Sequence, residues 1–173
     1  MWKDMFKVWA KYNKAANGKM DSVIKTLSPQ EWDKSLGGFY KSVRRICSHL
    51  YGSDFNWLKQ FSGIRDFVVF KDPFFNRERY DNFKEILFDD MGEYLASRPV
   101  LDEKIIAFAD EIEERDLNCL IKYTDFRGNS YEQKFYGLFM HSLNHATHNR
   151  GMISHCLELL GKDNDYSSLR LIL

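Results

Sequence analysis

From Phe139 to Gly161 the apolar residues return every three or four positions, and the stretch ends on a glycine suited to a helix C-cap. A chain carrying this pattern must build its core around a long amphipathic helix. Four of its five histidines, His141, His145, His148 and His155, lie on that helix, and the fifth is His49. At about 100° per residue, Phe135, Leu138, Phe139, Ala146, Ile153, Cys156, Leu157 and Leu160 share one face. Position 149 falls near the middle of that face and position 145 inside its edge. His141 and His148 drift to the flank, and His155 points further out. The inward pair is therefore His145 and Asn149, one turn apart. An i, i+4 pair on a buried face is the helical geometry for two ligands to one ion, although only one of this pair is an imidazole.

Three more helical patterns accompany it. The first runs from about Trp2 to Leu27 through Phe6, Trp9, Tyr12, Asn13, Ala16, Met20 and Ile24. Ser28-Pro29-Gln30-Glu31 is a capping box with proline at the first helical position, and it starts a short turn carrying Trp32. After Gly37-Gly38 a second long pattern, about Gly38 to Phe61, carries Phe39, Val43, Ile46, Cys47, Leu50, Trp57, Leu58 and Phe61. Asp54 interrupts that stripe, and His49 sits beside it in a minor stripe with Ser42 and Ser53. Ser62 to Asn76 reads as loop. The third long helix is expected from about Glu78 to Glu113, with Tyr80, Phe83 and Leu87 in its first half and a bend near Arg98 from the internal Pro99. Mild alternation on either side of Phe126-Arg127-Gly128-Asn129 predicts a short β-ribbon before the last helix. The apolar tail, Leu169 to Leu173, is expected to pack back on the helices. Residues 1–173 thus read as one all-α domain, an antiparallel four-helix bundle with a short β-ribbon before its last long helix.

Charge narrows the function classes. Acidic and basic residues number 25 each, so nothing in the total recommends nucleic acid as a partner. No apolar run is long enough to span a membrane, and the N-terminus lacks a signal core. Cys47, Cys119 and Cys156 are an odd set without a C-x-x-C, which suits reduced core thiols in the cytoplasm.

Several of these stretches together resemble the DinB family, within the DinB/YfiT-like superfamily of metalloenzymes. Lys11-Tyr12-Asn13 with Asn17 is similar to the family's Y-N-x-x-x-N. Ser42, His49-Leu50 and Trp57-Leu58 are similar to its S-(x6)-H-L…W-L, and the ribbon has Tyr123-Thr124-Asp125-Phe126-Arg127-Gly128. The last helix has His141-Ser-Leu-Asn-His145-Ala-Thr-His148-Asn-Arg-Gly151 against a pattern like H-x-x-N-H-x-T-H-H-R-G-Q. The resemblance spans nearly the whole chain. It implies a four-helix bundle, often a homodimer, with a divalent metal, nickel or zinc, on three histidines. Carried over by position, the ligands are His49, His145 and position 149. This chain departs at the third, where Asn149 stands, and has Met152 where the family's glutamine falls. Asn149 offers an amide oxygen, a hard neutral donor poorly matched to zinc or nickel. His148 is the neighbouring alternative, about a quarter-turn away.

Three function classes follow. One is a metal-dependent enzyme resembling relatives that use a low-molecular-weight thiol, the metal lowering the thiol's pKa. A second is a member that binds a small molecule or partner without metal chemistry, which the Asn149 departure favours. A third is a stress-associated structural protein. The metal is expected to be weakly held or absent.

Overall fold

The computed structural model describes residues 2–80, 85–125 and 128–172. It is mostly helical, with five α-helices and one small antiparallel sheet: α1 Trp2–Ile24, α2 Pro29–Trp32, α3 Val43–Phe61, α4 Met91–Glu111, β1 Leu120–Thr124, β2 Ser130–Lys134 and α5 Phe135–Leu159. α1 packs on α4 and α5, and α3 packs on α5 and α4, so the core lies among the four long helices. No helix among the described residues is long and apolar enough to cross a membrane.

Several ends lie where local chemistry puts them. Ser28 caps α2 through Glu31, whose side chain reaches back to the Ser28 amide. α5 closes in a Schellman motif: Gly161, at φ 72°, donates to the Glu158 carbonyl, and Lys162 donates to that of Leu157. β1 and β2 pair from Leu120 opposite Lys134 to Thr124 opposite Ser130. Phe126 and Arg127 of the expected turn lie outside the described residues, as does Phe83 of the expected third helix. The Leu169–Leu171 turn of the tail packs on α1, while Tyr12 donates to the Ser167 carbonyl and Tyr166 to that of Arg150; Leu173 lies outside the described residues.

Two boundaries differ from the expected ones. α3 starts at Val43 rather than near Gly38, because Gly37, Gly38 and Lys41 all have positive φ and a helix cannot run through them. Ser42 is its N-cap, accepting from the Arg45 amide while donating to Asp33. The third long helix starts at Met91, not near Glu78. Its cap is Asp90, which accepts from the Glu93 amide, while Glu93 accepts from that of Asp89. The preceding segment is instead tied to the polar side of α3. Asn56 exchanges two hydrogen bonds with the Tyr80 backbone, the Leu87 amide donates to Ser48, and Arg44 donates to the Phe88 carbonyl. These side chains satisfy the backbone that helix formation would otherwise have satisfied. Helix α4 continues through Pro99. The Ser62–Asn76 stretch contains two 3-10 turns, the first held by Glu111 accepting from the Val68 and Val69 amides.

The interior has two chemistries. At one end Phe61, Phe108, Phe135 and Phe139 pack ring on ring, with centroids 5.1 to 5.8 Å apart. Elsewhere the core is polar. Arg98, with no solvent exposure, donates to Asp54 on α3 at 2.9 Å and to Asp102 on α4 at 2.7 Å. Asn17 on α1 also donates to Asp102, and Arg150 on α5 donates to both Asn17 and Asn13. Burial works against the Arg98 charge, but Asp102 and Asp54 outweigh it and hold the guanidinium protonated. Asp54, the residue that breaks the α3 stripe, is therefore a partner of Arg98.

Two outcomes follow. Replacing Arg98 with alanine leaves Asp54 and Asp102 buried without their cation, and chemical denaturation should show a loss of about 3–5 kcal/mol. Asp21 lies beside this network with one carboxylate oxygen unpartnered, and burial pushes its pKa up from 3.8 to about 7, with Arg98 opposing and Asp102 reinforcing. A raised folded-state pKa stabilises the fold fully below the unfolded value and is lost as pH rises through the folded one. Asp21→Asn should therefore raise the urea midpoint at pH 8 and change it little at pH 4, flattening the pH profile in between.

Candidate functional site

The site forms where α3 meets α5. His49 on α3 and His145 on α5 converge, their Nε2 atoms 3.0 Å apart. A tetrahedral zinc ion with Zn–N bonds of about 2.0–2.1 Å would hold two nitrogens about 3.3 Å apart, so a small opening of this pair admits an ion. Without one, the two rings share a single N–H between them. Burial is the main cause, with His49, His141 and His148 adding to it, that pushes the His145 imidazole down to about 4. It is therefore neutral near pH 7, as a metal ligand must be.

Each ring is held from behind. Ser53, one turn after His49 on α3, lies 3.3 Å from His145 Nδ1, within reach to fix that ring's tautomer. Tyr40 stacks on His49 with centroids 4.7 Å apart and planes at 28°. The loop before α3 brings it there. Lys41 sits at φ 71°, and the Leu36 amide donates to the Lys41 carbonyl at 2.7 Å, turning the chain back over the helix.

Asn149 is buried one turn after His145, as the projection placed it. Its amide nitrogen donates to the His145 carbonyl at 2.8 Å and lies 3.1 Å from His145 Nε2. Its oxygen is buried without a hydrogen-bond partner. Asn149 thus turns N–H toward the imidazole, and the amide would have to turn over to offer oxygen to an ion there. Among the described residues, no three His, Cys, Asp or Glu side chains stand together ready to hold a metal. The chain meets the implied ion with two imidazoles and an unpaired amide oxygen, a partial fit.

The other histidines separate by location. His141, exposed, lies one turn before His145 with ring centroids 6.1 Å apart, its edge against Trp57. His141 and His49 both line a cleft of about 810 Å³. Its walls come from the polar side of α3, from Tyr80 and Leu87, and from the ribbon tyrosines Tyr123 and Tyr131. The wall at Tyr80 and Leu87 comes close because residue 52 is glycine. A Cβ there would meet Leu87 at 3.1 Å and Tyr80 at 3.5 Å. His148 lines a different groove, with Tyr40, Met152 and Cys156. His155 is exposed, 3.9 Å from Glu158.

Helix projection turned His145 and Asn149 inward, the family resemblance joined His49 to them, and Ser53 stood only in the minor stripe beside His49. Sequence reading missed Tyr40, which the double glycine and Lys41 deliver, and it assigned Trp57 to the core. It also left the ribbon tyrosines without a role, although their alternate positions on paired strands carry a signal: Tyr123 lies opposite Tyr131 and stacks on it at 5.4 Å.

The model of the DinB family matches residues 1–167. Among curated proteins, Protein DinB of Bacillus subtilis (strain 168) is 25% identical over 158 residues, which covers 90% of this chain and 86% of the relative. No solved structure matches. With the family model spanning nearly its whole length, the chain belongs to the DinB family.

Proposed function

We propose that the cleft between α3, the ribbon and α5 binds a small molecule beside a low-affinity site for a divalent metal, zinc or nickel. The four long helices would be the family's antiparallel four-helix bundle, with the site between its second and fourth long members. The observation that carries the reading is the 3.0 Å approach of His49 Nε2 to His145 Nε2. Two imidazoles from different helices, aimed at one point beside a cleft, are what a borderline divalent cation selects.

In this reading His49 and His145 hold the ion, and a bound ion would supply a Lewis acid that lowers the pKa of a coordinated water or thiol. Ser53 orients the His145 ring, and Tyr40 fixes the plane of His49. The aromatic and amide side chains of the cleft position the ligand and reduce its contact with water. Asn149 keeps the third place from being a strong one. A second reading has a specific observation behind it. Because Asn149 turns its N–H groups toward His145, the pair and the amide also make a metal-free hydrogen-bonding site for a small polar ligand.

Calorimetry with zinc and nickel on tag-free protein separates the two. Wild type should bind weakly, His145→Ala not at all, and His148→Ala like wild type. Asn149→His, on the face already aimed inward, should tighten binding at least about 10-fold, since changes even beyond the ligands themselves alter affinity about 10–100-fold. Folded wild type and folded Asn149→His that both ignore the metals would overturn the metal reading and leave the metal-free one.

A further inference from the structure

We infer that the third protein ligand in this chain is His141, so that the ligand set has moved one helical turn along α5, away from position 149 and toward the cleft. The inference rests on the metal reading above and adds a residue to it.

Four observations carry it. First, His141 and His145 are themselves an i, i+4 pair. Side chains so spaced lie on one helix face with Cβ atoms about 5–6 Å apart, close enough for both imidazoles to reach one ion. Their centroids are 6.1 Å apart and the planes differ by only 31°. Second, His141 opens on the same cleft as His49, and the His145 ring lies 5.0 Å from the His49 ring. Third, His141 is exposed and rests edge-on against Trp57 at 5.4 Å, so a side-chain rotation toward the pair disturbs little packing. Fourth, the competing donors face elsewhere. Asn149 directs its N–H groups at His145, and His148 lines the separate groove beside Tyr40 and Met152.

The rotation also accounts for the lack of a ready three-ligand cage in the described residues. Two imidazoles are pre-placed and the third must swing in from solvent. Because His49 and His141 line the cleft, an ion held by them would be within reach of a ligand bound there. The donor set is three imidazoles, which suits zinc or nickel and disfavours magnesium or calcium.

The test is a zinc titration of tag-free wild type, His141→Ala, Asn149→His and the double variant, read by calorimetry and by the histidine ring protons in NMR. Wild type should bind, and its His49, His141 and His145 signals should move while those of His148 and His155 stay. His141→Ala should weaken zinc about 10-fold or more. In the Asn149→His background the same change should have little effect, because a buried imidazole already fills the third place. Wild-type binding that His141→Ala leaves unchanged would overturn the inference and leave the metal site standing. So would binding by Asn149→His with none by wild type. Absence of binding in both, with both folded, removes the metal reading and His141 with it.

Discussion

Arg98 lies beyond the reach of solvent between Asp54 on α3 and Asp102, one turn along on its own helix. Taking such charges out of water costs several kcal/mol per ion, and their attraction offsets this only with good geometry and further hydrogen bonds. Those further bonds are present: Asn17 serves Asp102, and Arg150 ties Asn17 and Asn13 to α5. The network therefore touches all four long helices. An apolar core tolerates small sliding of one helix past another. A buried network of this kind does not, because a displaced helix leaves an unpaired charge. The relative positions of α3 and α5 are fixed here, and with them the meeting of His49 and His145. Arg150 is the next residue after Asn149, and Asp54 the next after Ser53, so the structural network and the candidate site are built on adjacent residues of the same two helices.

The division of labour between neighbours follows from helix geometry. Successive residues differ by about 100° in direction, so Ser53 faces His145 while Asp54 faces Arg98. Likewise Asn149 lies under His145 while Arg150 reaches α1. One face of each helix bears the structural charge network and the next bears the imidazoles. Tyr80 and Leu87 complete the cleft from outside the helices, while Tyr40 backs His49 from the neighbouring groove. Tyr80, Leu87 and Phe88 are anchored by backbone hydrogen bonds to Asn56, Ser48 and Arg44 rather than by apolar packing alone.

What could be read from the sequence was what depends on local chemistry. The extent of α5 was legible from its periodicity, its end from Gly161, α2 from Ser28 and Glu31, and the paired strands from alternation. The inward direction of His145 and Asn149 was also legible, since it needs only the projection of one helix. The errors came where a distant group decides the outcome. Tyr80 and Leu87 fit a helical stripe, yet Asn56 and Ser48 capture their backbone, so α4 waits for the Asp90 cap. Asp54 looked like an interruption because its partner lies 44 positions away. The orientation of the Asn149 amide depends on a carbonyl and an imidazole four residues back, which side-chain type alone does not reveal.

The same separation means that the side chain at position 149 bears little on the fold. A structural metal site supplies folding free energy directly, so losing a ligand there would unfold the chain. Here the helices are joined by Arg98 and its partners and by the phenylalanine cluster around Phe61 and Phe108, neither of which involves an imidazole. The histidine corner carries little of the load. Its most visible defect, the unpaired Asn149 oxygen, is a single buried acceptor, worth about 1–3 kcal/mol. A domain whose charge network spans four helices tolerates that. Position 149 therefore carries little of the fold, while Arg150 beside it is bonded to two asparagines of α1.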